Sequence, residues 1–309
     1  MWFKNLRIYR FLRPFELDAE TLAKQLEQRP FRECGRVQES SFGFVPPVGD
    51  EESPLVHATN GFLLMAACRE ERILPTSVVK EEAALRIEKM EQERGLKVPK
   101  RERDRVHDDV RFELLPRAFT RSQRTYAYID PIDGYLLVDA STDAKADEFT
   151  EALHEALGDL PIAFPLTNER PSSVMTRWLA DGYAGPEFEV EQECELRLPV
   201  EGGAVVRCRN QDLASREIQV HLEAGKEVIR LSMVFAERIR FIVDEKLAVR
   251  RLRFLELIQD EANDVEAESP AARMDADFAV MSLELRGFVR QLLEAFGGED
   301  KAAMGVFSG

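Results

Sequence analysis

Long apolar runs are missing from this 309-residue chain; the longest uninterrupted one, at 62–68, has seven residues, against the roughly 20 a membrane-spanning helix needs. A membrane partner is therefore not expected. The opening segment MWFKNLRIYRF alternates apolar and basic residues and lacks the continuous hydrophobic stretch of a secretory signal, so a cytoplasmic location is the expectation. Cysteine is scarce. Cys34, Cys68, Cys194 and Cys208 lie far apart, with no CxxC pair and no two histidines near any of them, which argues against a zinc site and a disulfide framework. Free thiols are expected.

Catalytic motifs are as sparse. The four histidines, His57, His107, His154 and His221, never form HExxH, no serine sits in GxSxG, and GxGxxG does not occur. Gly225-Lys226 is a poor phosphate loop, because Val220 stands where the first glycine should be and Glu227 where magnesium-binding Ser/Thr should be. No cofactor or metal has a signature here, and the chain reads as non-enzymatic. One catalytic idea survives: Asp244-Glu245-Lys246 has the D/E-x-K spacing of metal-dependent nucleases, with Asp130, Asp133 or Asp139 as partners. In a chain with 57 acids that spacing arises easily, and the competing reading is a turn between two strands.

What the chain has in abundance is charge: 57 Asp/Glu against 42 Lys/Arg, net −15. The exception is 94–125, RGLKVPKRERDRVHDDVRFELLPRAFTRSQRT, with ten basic residues against five acidic. Charges beyond a Debye length of ~8 Å are largely screened at physiological salt, so an acidic protein can bind a polyanion through cations gathered on one surface. Lys97, Lys100, Arg101, Arg117, Arg121 and Arg124 are the DNA-binding candidates, the last three lying in an acid-free stretch around Phe119. The competing reading is a solvated helix: Val106, Val110 and Leu114 would form its buried stripe, while Arg101 with Asp104, Arg105 with Asp109 and Asp108 with Arg111 would pair along its surface. Arg209, Asn210 and Gln211 follow a strand on an exposed connection, where they can bond phosphate or a partner subunit.

Along the chain, strands are expected at about 2–12, 41–45, 55–69, 126–130, 135–139, 187–198, 203–208, 227–235, 238–243 and 249–253. Helices are expected at 19–28 capped by Asp18, 77–94 closed by Gly95, 99–115 opened by Pro99, and 143–157 capped by Asp143. Three more should cover 173–181, 215–223 and 271–296. Asn60-Gly61 and 131–134 mark hairpin turns. The alternation, with few long Val/Ile runs, predicts an α+β fold with largely antiparallel sheets. The proline-rich stretch 161–171 suggests halves at 1–165 and 166–309, the first carrying the basic helical hairpin at 77–117 as an insertion and the second ending in a long helix.

Seven segments, in order, carry a resemblance. WFKNLRIYR at 2–10, EERILP at 70–75, LLPRAF at 114–119, QDL at 211–213, HLEAGK at 221–226, DADF at 275–278 and LLEAFGG at 292–298 resemble the bacterial recombination-associated RdgC family. The resemblance implies a nucleoid-associated protein that binds DNA, double- and possibly single-stranded, with little sequence preference. It also implies a ring-shaped homodimer with a positive central hole, which restrains the recombinase RecA by occupying DNA. Ring closure would involve Phe119 of LLPRAF and Gln211 of QDL; Asn210 stands where the family carries a basic residue. Two readings from other classes remain: a metal-dependent nuclease, and a scaffold that binds only protein.

Overall fold

The computed structural model describes residues 1–50, 52–256, 258, 267 and 269–306. The elements run β1 (Arg7–Phe11), α1 (Ala19–Leu26), β2 (Ser40–Val45), β3 (Val56–Thr59), β4 (Phe62–Ile73), α2 (Thr76–Arg94), α3 (Lys100–Leu114), β5 (Phe119–Asp130), β6 (Tyr135–Val138), α4 (Asp143–Leu157) and β7 (Ile162–Ala163). They continue with α5 (Pro171–Asp181), β8 (Phe188–Arg197), β9 (Val205–Arg209), α6 (Arg216–Glu223), β10 (Glu227–Phe235), β11 (Ile239–Asp244), β12 (Val249–Phe254), α7 (Pro270–Ala295) and α8 (Lys301–Met304). A 3-10 turn (Leu115–Arg117) precedes β5. The fold is the expected α+β, with antiparallel pairing between neighbouring strands.

Local chemistry accounts for most element ends. Asp18 caps α1 by accepting the Thr21 N–H at 2.8 Å. Gly95 closes α2 in the left-handed region (φ +67°), its N–H returning to the Glu91 carbonyl. Asp130 fixes the 131–134 hairpin by accepting the amides of Ile132 and Asp133 on Oδ1. Two expectations are corrected. The cap of α4 is Thr142, whose hydroxyl accepts the Lys145 N–H at 3.3 Å; Asp143 is the first helical residue and lies 3.1 Å from the buried Arg7 guanidinium. β5 begins at Phe119 rather than near 126, so the acid-free stretch is strand from Phe119 onward.

The chain forms two compact units. The larger comprises 1–28, 46–66 and 125–309, the smaller 29–45 and 67–124. β4 and β5 contribute residues to both.

In the larger unit, strands run in the order β4-β5-β6-β1-β7 with β3 on β4, and a five-stranded sheet runs β12-β11-β10-β8-β9. Both feed one core, and α7 is its spine. Its buried positions Phe278, Met281, Leu285, Phe288, Leu292 and Leu293 recur at three- and four-residue intervals. Phe278 meets Phe62 and Tyr128 of the first sheet edge-on, and Phe288 meets Phe235 and Phe241 of the second. Just past the helix end, Phe296 packs on Trp178 of α5. Each such buried aromatic contributes about 1.5–3 kcal/mol.

The same helix is pinned electrostatically. Arg286 grips Asp130 with two bonds of 2.7 and 2.8 Å and lies over the Phe62 ring at 4.1 Å. Asp130 is only 2 % exposed, so it cannot exchange the guanidinium for water.

The smaller unit is thinly cored. Ala83, Val98, Val110 and Leu115 are buried, whereas Val79, Ile87, Met90, Val106 and Leu114 of the expected stripes are only half-buried. Ion pairs Arg86–Glu113, Arg103–Glu91 and Arg94–Glu102 order α2 and α3 as antiparallel neighbours. Arg72 of β4 donates to the carbonyls of Cys34, Gly35, Leu115 and Ala118, tying the segment before β2 and the turn after α3 to the strand. Gly43 has no room for a side chain, since a Cβ would sit 2.5 Å from the Phe31 backbone.

Two outcomes are expected. Arg286→Met strands the Asp130 carboxylate in the core and should cost roughly 3–5 kcal/mol in urea denaturation; a loss under about 1 kcal/mol would show the pair to be dispensable. Asp139 accepts the Lys4 and Asn5 amides, yet burial dominates and raises its pKa. A carboxyl whose pKa rises on folding opposes the fold once ionised and stops doing so below its unfolded value. Asp139→Asn should therefore melt above the wild type near about pH 7, the gap closing towards roughly pH 4; a gap that widens on acidification would refute the assignment.

Candidate nucleic-acid interface

Charge is divided between the units. The smaller carries 18 Lys/Arg and 14 Asp/Glu, net +4, while the larger carries 24 and 43, net −19. An acidic chain thus has one cationic unit, and all six predicted DNA residues lie in it.

These six are exposed, and none forms an ion pair among the described residues. Their neighbours in sequence are neutralised instead: Arg94 by Glu102 and Arg111 by Glu39, each at 2.7 Å, and Arg103 by Glu91 at 3.2 Å. The expected pairs along α3, Arg101–Asp104, Arg105–Asp109 and Asp108–Arg111, do not form; Arg111 is taken instead by Glu39, in the segment before β2. The cations left over are those that no local acid holds.

The six are not one cluster. Lys97 lies in the α2–α3 turn and Lys100 and Arg101 in the first turn of α3, whereas Arg117 ends the 3-10 turn and Arg121 and Arg124 lie on β5. A 15-residue helix separates the groups by about 22 Å. Within the second group, strand alternation puts Phe119 and Arg121 on one face and Arg124 on the other. All of 119–124 is exposed, so this stretch of β5 is bare on both faces. Arg117 still acts at a distance: with Arg86, the larger influence, it lowers the Glu113 pKa.

Phe119 is 85 % exposed, an aromatic with no local reason to face water. Gln211 is half-buried and occupied, donating from Nε2 to Ser215 Oγ at 3.3 Å and Glu217 Oε2 at 3.2 Å. Asn210 before it adopts a left-handed conformation (φ +51°), and Arg209 lies 3.4 Å from Glu193.

The nuclease candidates are engaged elsewhere. Asp244 accepts the Lys246 and Ala248 amides in the β11–β12 turn and faces Arg250. Glu245 pairs with Arg197, Lys246 with Asp143, Asp130 with Arg286 and Asp133 with Arg290. Among the described residues no group of three His, Cys, Asp or Glu side chains is placed to hold a metal ion. Nor, among them, is any helix long and apolar enough to cross a membrane.

Sequence reading passed over a second set of cations, on the outer face of the five-stranded sheet. Arg207, Arg230, Arg240, Arg251 and Arg253 stand there opposite Glu191, Glu193 and Glu195 of β8. A signal was available: arginines two residues apart in VRCR and RRLRF, where strand periodicity aims both at one face.

Fold and charge together define an α+β protein of the kind that concentrates cations on a minority of its surface. The chain belongs to the RdgC family, whose model, described as "Putative exonuclease, RdgC", matches residues 1–299. Relatives called recombination-associated protein RdgC include one from Aeromonas hydrophila, 41% identical over 302 residues, covering 98% of this chain and 100% of the relative. One from Halorhodospira halophila is 43% identical over 299 residues (97% and 99%), and one from Pseudomonas aeruginosa is 42% identical over 301 (97% and 98%).

Because its ring contacts so little of its own chain, Phe119→Ala should leave the unfolding free energy from urea denaturation within about 0.5 kcal/mol of wild type. A larger loss would mean that the ring supports the fold.

Proposed function

We propose that this protein binds DNA through the phosphate backbone, without strong sequence preference and without cleaving it. In this reading it acts in the cytoplasm, on the nucleoid, as a homodimer that closes a ring around the duplex, and it lowers RecA-dependent recombination by competing for DNA. The observation that carries the reading is the charge division: +4 on one unit of a −15 chain, with six exposed cations that form no ion pair among the described residues. Such cations retain their full attraction for phosphate, because no internal pair must be broken first. The relatives' name, recombination-associated, supports the setting.

Ring closure by Phe119 and Gln211 is part of this proposal. An exposed aromatic of this kind is the usual anchor of an interface, with truncation costing ~2 kcal/mol or more of association. Gln211 would have to exchange its bonds to Ser215 and Glu217 for a contact in the partner. The alternative, a metal-dependent nuclease, has the family description in its favour, while the engagement of Asp244 and Glu245 by arginines and backbone amides weighs against that site.

Anisotropy with a labelled duplex should show similar affinity for unrelated sequences, and a log–log salt slope of roughly −5 if about six phosphates are neutralised. Charge reversal at Arg117 and Arg121 should weaken binding to every sequence alike; unchanged affinity would remove these two residues. Phe119→Ala should shift the dimer towards monomer in sedimentation, and an unaltered dimer would count against the anchor. Added protein should slow RecA strand exchange only when it is present in excess over DNA sites. Plasmid nicked in Mg²⁺ by the wild type but not by Asp244→Ala would replace this reading with the nuclease.

A further inference from the structure

We propose that the larger, acidic unit carries a second phosphate-binding site: a pocket of about 250 Å³ on the outer face of the five-stranded sheet, which takes a backbone phosphate of nucleic acid. The inference rests on the DNA-binding reading above and extends it to a surface 83 or more residues along the chain from the nearest of the six predicted cations. Five arginines line the pocket: Arg207 and Arg209 from β9, Arg230 from β10, and Arg250 and Arg251 from β12.

Stoichiometry makes this an anion site rather than a finished salt-bridge network. Arg207 and Arg230 both reach the same Glu195 oxygen, each at 3.1 Å. Arg209 and Arg251 share Glu193, at 3.4 and 2.9 Å. Arg250 faces Asp244 at 3.4 Å. Five guanidiniums meet three carboxylates, and the surplus of two positive charges matches a phosphate better than any further side chain in the pocket. Donors are left over as well: Arg230 Nε is buried with no hydrogen-bond partner.

Backbone geometry points the same way. Arg251 is held at φ +49°, a conformation that non-glycine residues keep only where the surroundings enforce it. The register explains where it occurs. Arg240 pairs with Arg253 but Ile242 with Arg250, so β12 has one residue more than β11 between these pairs. Such a bulge re-aims side chains. Here Val249 and Leu252 are buried in the core while Arg250 and Arg251, adjacent in sequence, both stay outside it. Without the extra residue, alternation would turn one of the two inward. The strained residue is thus what brings both arginines to one face, and it does so in a unit of net charge −19, where scattered cations would be the rule.

The test uses the full-length protein and a labelled duplex. Arg207→Gln with Arg251→Gln should weaken binding about tenfold near 150 mM salt and flatten the log–log salt slope by about 2. Arg216→Gln, which removes an arginine paired one-to-one with Glu223 on α6, should change neither, and Arg207→Lys should bind as the wild type. Melting curves establish that each variant is folded; should the double variant not be, Arg207→Gln alone, at a largely exposed side chain, flattens the slope by about 1. Wild type that binds while these variants match it in affinity and slope overturns this site and leaves the DNA-binding reading standing. Wild type that fails to bind even at low salt overturns both. A change in sedimentation at unchanged DNA affinity would assign the face to contact between copies, and would also overturn the proposal.

Discussion

Burial of α7 is the constraint on which the larger unit depends. Two sheets, each with one apolar face, need a common partner, and one helix supplies it by setting Phe278 among the aromatics of one sheet and Phe288 among those of the other. A helix that is apolar around so much of its circumference could slide along its axis without changing its greasy contacts much. Arg286 on Asp130 and Arg290 on Asp133 remove that freedom, since a directional bidentate pair cannot be made one turn out of step. The 131–134 hairpin is thereby fixed to the helix, and β5 and β6 with it.

The smaller unit is built on the opposite principle. It buries few large side chains, and much of its order comes from directed polar contacts: the Arg72 guanidinium on four carbonyls, and ion pairs between α2 and α3. Exposed pairs of this sort contribute little each, since water screens them and their long side chains lose freedom. They nevertheless sort the arginines into those with a carboxylate and those without, and it is this sorting that leaves a cationic surface on an acidic chain. The exposed Leu85, Leu96, Phe112 and Phe119 belong to the same unit, so its surface is unusual in apolar content as well as in charge.

Most of the elements were legible from local chemistry. Asp18, Gly95, Asn60-Gly61 and 131–134 end or turn the chain where their side-chain and backbone preferences require, and those preferences act over three or four residues. The miss at β5 has a physical cause: LLPRAFTRSQRT has no apolar alternation because both faces of the strand stay exposed, and alternation is what marks a strand in sequence. The Asp108–Arg111 pair on α3 failed for a related reason. Spacing along a helix says which charges can meet, whereas the carboxylate that takes Arg111, Glu39, is 72 residues away.

Sequence alone determined the family, the α+β class, the existence and type of most elements and the concentration of basic residues in 94–125, because each of these is written in neighbouring residues. Tertiary structure alone decided which arginines are free. Whether a guanidinium is neutralised depends on carboxylates brought up from distant strands, and whether two adjacent arginines share a face depends on a bulge set by pairing with another strand. The charge available to a ligand is what remains after those long-range contacts have been made, and no local pattern encodes that remainder.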